Sequence, residues 1–214
     1  MRLGIINAVL GLVLLPFSIG FTKSFISQLS SFETFGMGET AFAAGAITYI
    51  ILRRAGLRMS FLSTLAHELT HAIWGLAFRA KIKDIRVKRE SGFVRLTKSN
   101  FLIMLAPYFF PFYTVLVVLF SFFIKQKYLI LIFFLIGFTL AFHIVSTIES
   151  LRAGQPDIYR TGAFFSLPLI YISNLTMILL ILKFISPKSV DITLFMNTAL
   201  DESLALIQRI YLFF

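Results

Sequence analysis

Two histidines and a glutamate share one short stretch of this chain, His67-Glu68-Leu69-Thr70-His71. Residues four apart on a helix project from one face, so both imidazoles can reach a single metal ion. Glu68 follows the first imidazole and lies beside the coordination position left open. There a carboxylate can take a proton from zinc-held water and pass it to a leaving amine. Only three His occur in the chain and two are in this motif; there is no Cys, so any zinc must be held by nitrogen and oxygen. A hydrolytic zinc usually takes three protein ligands. The downstream candidates for the third are Glu90, His143, Glu149 and Asp157, with Asp191, Asp201 and Glu202 set apart in the C-terminal stretch.

The surroundings of the motif are apolar. The chain is 58% hydrophobic and 14% charged, with a mean hydropathy of +0.88. That leaves too little polar surface for a water-soluble domain of this length, and the apolar stretches reach bilayer-crossing length. The net charge of +10 does not imply a nucleic-acid partner, because the basic residues gather at the ends of apolar stretches, where they meet lipid headgroups. An ionisable residue inside an apolar helix is costly, which favours a functional Glu68 over a chance match.

The elements that must position the motif follow from hydropathy and turn residues. Residues 4–21 read as an uncleaved first span, their apolar run being long for a signal peptide. Residues 39–52 read as a shorter apolar helix ended by Arg53 and Arg54, and 60–78 as the third helix, which carries the motif. Between 79 and 98 stand eight Lys or Arg, with Ile82, Ile85 and Val87 before Ser91-Gly92 and Phe93, Val94 and Leu96 after it. This pattern predicts a β-hairpin, which is marginal alone and must lean on the bilayer or the helices. Residues 100–124 (with Pro107 and Pro111), 128–148 and 163–185 complete the spans, with polar connections at 22–38 and 149–162. After Pro187, Leu204, Ile207 and Tyr211 at helical spacing predict an interfacial amphipathic helix. The expected fold is all-α, a polytopic transmembrane bundle of about six helices with a small membrane-associated hairpin after the third. The distribution of Lys and Arg favours an inside N-terminus, with the hairpin charges standing against it.

The motif in a membrane helix, the basic hairpin directly after it, and Gln155-Pro156-Asp157 followed by Thr161-Gly162 resemble the site-2 protease family of intramembrane zinc metallopeptidases, in its divergent bacterial branch. The resemblance covers residues 59–186. No repeat or separate soluble domain is visible, so 1–214 reads as a single integral-membrane domain, within which the resemblance implies a peptidase core at 59–186, leaving the tail 187–214 outside the core. The resemblance also implies one Zn2+ per chain on His67, His71 and Asp157, with Glu68 as catalytic base. The substrate would be a membrane protein or peptide cut in or near a transmembrane segment, and the setting a bacterial plasma membrane. The chain departs from the family at Thr70, where Gly is frequent, and at Asp157-Ile158, which replaces an Asp-Gly pair. His143, Asn174 and Arg160 are accessory candidates: His143 for the scissile carbonyl or oxyanion, Asn174 for an unwound substrate backbone, Arg160 for the Asp157 carboxylate. Two other readings stay open. One is a membrane gluzincin with Glu149 as third ligand; the other is a catalytically silent membrane protein that binds partners.

Overall fold

The computed structural model describes residues 2–32, 35–89 and 91–212, so Glu33, Thr34 and Glu90 lie outside the described residues. Nine α-helices and one two-stranded antiparallel sheet occur among them. In chain order they are α1 (Arg2–Ser30), α2 (Met37–Arg54), α3 (Ser60–Ala77), β1 (Ile82–Val87), β2 (Gly92–Leu96), α4 (Phe101–Leu105), α5 (Phe112–Ser121), α6 (Leu129–Ala153), α7 (Pro156–Thr161), α8 (Ala163–Ile185) and α9 (Ile192–Leu212). The chain divides into two units, Gly36–Asp157 and Met1–Phe35 with Ile158–Phe214.

Among the described residues, three helical stretches are long and apolar enough to cross a membrane: Ile6–Ser30, Gln126–Ala153 and Ala163–Ile185. This is a multi-pass membrane protein. The single span expected over 100–124 is instead broken, since Phe101–Tyr108 and Phe112–Ser121 meet at 77°. Pro107 and Pro111 sit at the break, each without a backbone N–H and with a ring that crowds the preceding turn. The expectation of about six helices is corrected accordingly, because two short helices replace one and α7 forms inside the expected polar turn 149–162. The expected connection 22–38 is helical as far as Ser30. Two of its hydroxyls bond back into their own helix, Thr22 donating to the Ser18 carbonyl at 2.7 Å and Ser30 to that of Ile26 at 2.9 Å.

In the unit of α1, α8 and α9, the stretch after Pro187 is a helix that packs along α1. Ser24 donates to the Phe195 carbonyl at 2.7 Å, Phe21 meets the Phe195 ring edge-on, and Lys23 pairs with Glu202 at 2.6 Å. Phe195, Ala199 and Ser203 are buried there.

In the other unit, α2 crosses α6 with the backbones nearly touching. A Cβ on Gly45 would strike the Phe134 carbonyl, and one on Gly137 would strike that of Phe42. Below the crossing, Tyr49 is buried edge-on between Phe138 and Phe142, at 5.2 and 5.6 Å between ring centroids. The predicted hairpin forms, with Ile85 opposite Val94, Arg86 opposite Phe93, and an irregularity between Ile82 and Asp84. It leans on α3: the Leu96 side chain fills the space over Gly75, and the Gly92 backbone lies against Glu68. That contact gives the hairpin the apolar support it would lack in isolation.

Candidate metal centre

Helix α3 presents the motif on a polar stripe of Ser60, Ser63, Thr64, His67, Glu68 and His71. Thr70, standing where the family often has Gly, is buried, and its hydroxyl donates to the Ala66 carbonyl at 2.7 Å. The helix carries its polar residues without unsatisfied groups at this point. It ends at Arg79, whose φ of 58° is left-handed, with Arg79 N–H donating to Leu76 and Ala80 N–H to Gly75. These two bonds form a Schellman ending, which turns the chain directly into the hairpin.

The second half of the centre comes from the end of α6. Gly154 takes φ 71° and ψ 58°, a left-handed cap that stops the helix, and Pro156 opens α7. Glycine after one helix and proline at the start of the next are each suited to those places. The turn brings partly buried Asp157 to the two imidazoles. His71 Nε2 lies 3.1 Å from His67 Nε2, and Asp157 Oδ2 lies 3.3 Å from His71 Nε2 and 3.5 Å from His67 Nε2. Burial alone would raise the Asp157 pKa, but the two imidazoles outweigh it and hold the carboxyl well below the usual carboxylate range. The third group of the cluster is therefore an anion at neutral pH.

The donor set fits zinc. Tetrahedral ligands about 2.0–2.1 Å from an ion stand about 3.3–3.4 Å from one another, and the observed separations of 3.1, 3.3 and 3.5 Å bracket that value. His71 Nδ1 lies 2.9 Å from the Ile103 carbonyl, which can only accept. The carbonyl therefore fixes a proton on Nδ1, which leaves Nε2 as the ring atom that faces the other two groups and can bind a cation. Two imidazole nitrogens and a carboxylate oxygen converging on one point suit a cation once the nitrogens give up any proton they share with Asp157 or each other.

Glu68 is buried beside this cluster, packed on Gly92 of the hairpin. Its carboxyl borders a cavity of about 280 Å³ shared with Ser63, Thr64, His67, Ser91, Ser150 and Gln155. Every residue named there has a polar side chain, so the space can be wet although the surrounding helices are apolar.

The other candidates fall as follows. His143 and His67 both border a cavity of about 30 Å³, room for about one or two waters. Glu149 forms an ion pair with Arg53 and is not in the metal-type cluster. Glu90 lies outside the described residues. Asn174 and Arg160 belong to the other unit: Asn174 donates to the Ile170 carbonyl on its own helix at 2.8 Å, and Arg160 is exposed.

Sequence reasoning missed three participants. Tyr108 is fully buried, stands edge-on to His67 at 5.3 Å, and donates to Asp157 across 3.4 Å. The Ile103 carbonyl and the Gly92 backbone act through the main chain, where side-chain identity gives no signal. Only the prolines flanking Tyr108 hinted that this stretch has a special backbone.

The fold is that of a polytopic membrane protein, and it brings together three side chains, His67, His71 and Asp157, that could hold a metal ion. A family model described as Peptidase M50B-like matches residues 40–154, more than half of the 214-residue chain. The chain belongs to this family, a branch of the site-2 proteases, and at family level it is a membrane metallopeptidase. No curated protein and no solved structure matches it. The matched stretch includes His67, Glu68 and His71 and ends at Gly154, so the case for Asp157 rests on geometry.

Proposed function

We propose that the chain hydrolyses a peptide bond in or near a transmembrane segment of a membrane-protein substrate, using one zinc ion on His67, His71 and Asp157. The observation that carries this reading is the convergence of three ligand atoms at zinc-like separations beside the buried Glu68. When bound, zinc acts as a Lewis acid that polarises the scissile carbonyl and lowers the pKa of water. Glu68 accepts the proton that water loses as its oxygen bonds to the carbonyl carbon. It then gives that proton to the nitrogen as the C–N bond breaks, returning to a carboxylate. His71 is held in one tautomer by Ile103, and Asp157 is steadied by Tyr108.

Water must reach a site flanked by apolar helices. Ser63, Thr64, Ser150 and Gln155 border both the cavity at Glu68 and a second one of about 370 Å³ that reaches Arg53, Arg58 and Glu149. These hydroxyls and the amide provide a polar path to the centre. The reading extends to a bacterial plasma membrane as its setting, on the strength of the family resemblance alone.

The test is metal dependence in a reconstituted membrane. Purified protein in proteoliposomes with a single-span substrate should cut it, lose all cleavage after zinc is stripped by a chelator, and regain it with one equivalent of Zn2+. Cleavage that survives complete metal removal would end this reading.

A second expectation concerns the hairpin. A Cβ on Gly92 would stand 2.6 Å from Glu68 Cγ and 2.8 Å from its Oε1. Gly92→Ala must therefore shift the base, and a shift of this kind is expected to slow cleavage by about 10- to 100-fold. Zinc stoichiometry should stay as in the parent protein, because residue 92 supplies none of the three candidate ligand atoms. Unchanged turnover would show that Glu68 need not sit where the hairpin holds it.

A further inference from the structure

The bond between His71 and Ile103 raises a question about the main chain. In a regular helix the carbonyl of residue 103 accepts the N–H of residue 107. The turn just before follows that rule, with Met104 N–H donating to Asn100 and Ala106 N–H to Leu102. The next donor in the series belongs to Pro107, and proline has none. A proline ring in a helix also crowds the carbonyl four residues earlier. Ile103 is buried, and an unpaired carbonyl in such a place would cost free energy. The donor it has is His71 Nδ1–H, at 2.9 Å. The other side of the Ile103 residue is fixed as well, because the Asn100 side chain accepts Ile103 N–H at 2.9 Å as the cap of α4.

We propose that Pro107 is a positioning residue for the metal centre: by withholding a backbone donor, it frees the Ile103 carbonyl to hold His71 in the tautomer and orientation that binds zinc. The proline at the break and the histidine on α3 complement each other, since one removes a donor and the other supplies it. The inference rests on the zinc reading given above. It differs from a general role of proline in bending the segment, which Pro111 would share.

The experiment uses full-length protein purified in detergent, with Zn2+ alone as the probe. Zinc affinity is measured by competition with a chromophoric chelator, and the His71 tautomer by 15N NMR of the metal-free, histidine-labelled protein. In Pro107→Ala the new N–H competes for Ile103, so zinc should bind about 10-fold more weakly, at the low end for loss of an outer-sphere partner. The Nδ1–H signal of His71 should also shift toward the other tautomer. A second variant separates donor from ring: the hydroxy-acid analogue of alanine at position 107 makes an ester linkage, which has no N–H and no ring. It should bind zinc within about twofold of the parent, smaller than the about 10-fold effect of an outer-sphere loss. Parent-like affinity and tautomer in Pro107→Ala would overturn the proposal. So would equal weakening by the alanine and ester variants, which would assign the effect to the ring. Absence of zinc binding by the parent protein would instead overturn the zinc reading itself.

Discussion

Glu68→Gln is expected to lower peptide-bond cleavage by about 10³-fold, within the range of a lost general base, while one zinc per chain remains bound. Gln has nearly the same shape as Glu, so packing against Gly92 and the burial of residue 68 should persist. What is lost is the ability to take a proton from water and return it to the amine. The loss should appear in kcat, since the group matters while charge develops and contributes little to holding the substrate. Turnover in proteoliposomes and metal analysis of the same preparation check both halves. A variant that keeps most of its turnover would remove Glu68 from the chemistry. A variant that loses its zinc would show that the carboxylate holds the metal instead. Comparing membrane fragments from cells with parent and variant protein would then reveal the natural substrates, as fragments missing from the variant.

Asp157→Ala is expected to weaken zinc binding by more than the about 10- to 100-fold typical of an outer-sphere change, and to abolish cleavage at ordinary zinc levels. Removing this carboxylate takes away one of three ligand atoms and the only negative charge in the cluster. It also leaves the Tyr108 hydroxyl without the acceptor it has at 3.4 Å. The decisive comparison is Glu149→Ala, made in parallel. Glu149 is paired with Arg53 and is not part of the cluster, so its loss should leave zinc affinity as in the parent. If Glu149→Ala lost the metal and Asp157→Ala kept it, the third ligand would be Glu149 and the chemistry of a gluzincin would follow. Chelator competition on both variants decides between them.

Much of this architecture was readable from local pattern. The motif on α3 depends on a spacing of four residues, and the hairpin on alternation around Ser91-Gly92; both signals lie within a few residues of what they predict. Asp157 was harder, because the turn that presents it depends on a glycine cap and a proline start far along the chain from His67 and His71. The residue signal left Glu90, His143, Glu149 and Asp157 open, and the family resemblance pointed to Asp157. The helix α1 runs past its expected end: Ser and Thr read as a connection, whereas the Thr22 and Ser30 hydroxyls bond back into the helix and that of Ser24 bonds to the Phe195 carbonyl. The broken segment at 101–121 was misjudged for the opposite reason, since continuous apolarity concealed a 77° turn.

The hydrogen bond from His71 to a main-chain carbonyl also has a consequence for mutational surveys. No side-chain replacement at Ile103 deletes that oxygen, so an alanine scan would score the residue only for its apolar packing. The partner of a proposed metal ligand would pass through such a survey unseen. A substitution map of this centre would therefore show a gap next to His71, and its only visible trace would be an intolerance at Pro107, a residue with no functional group.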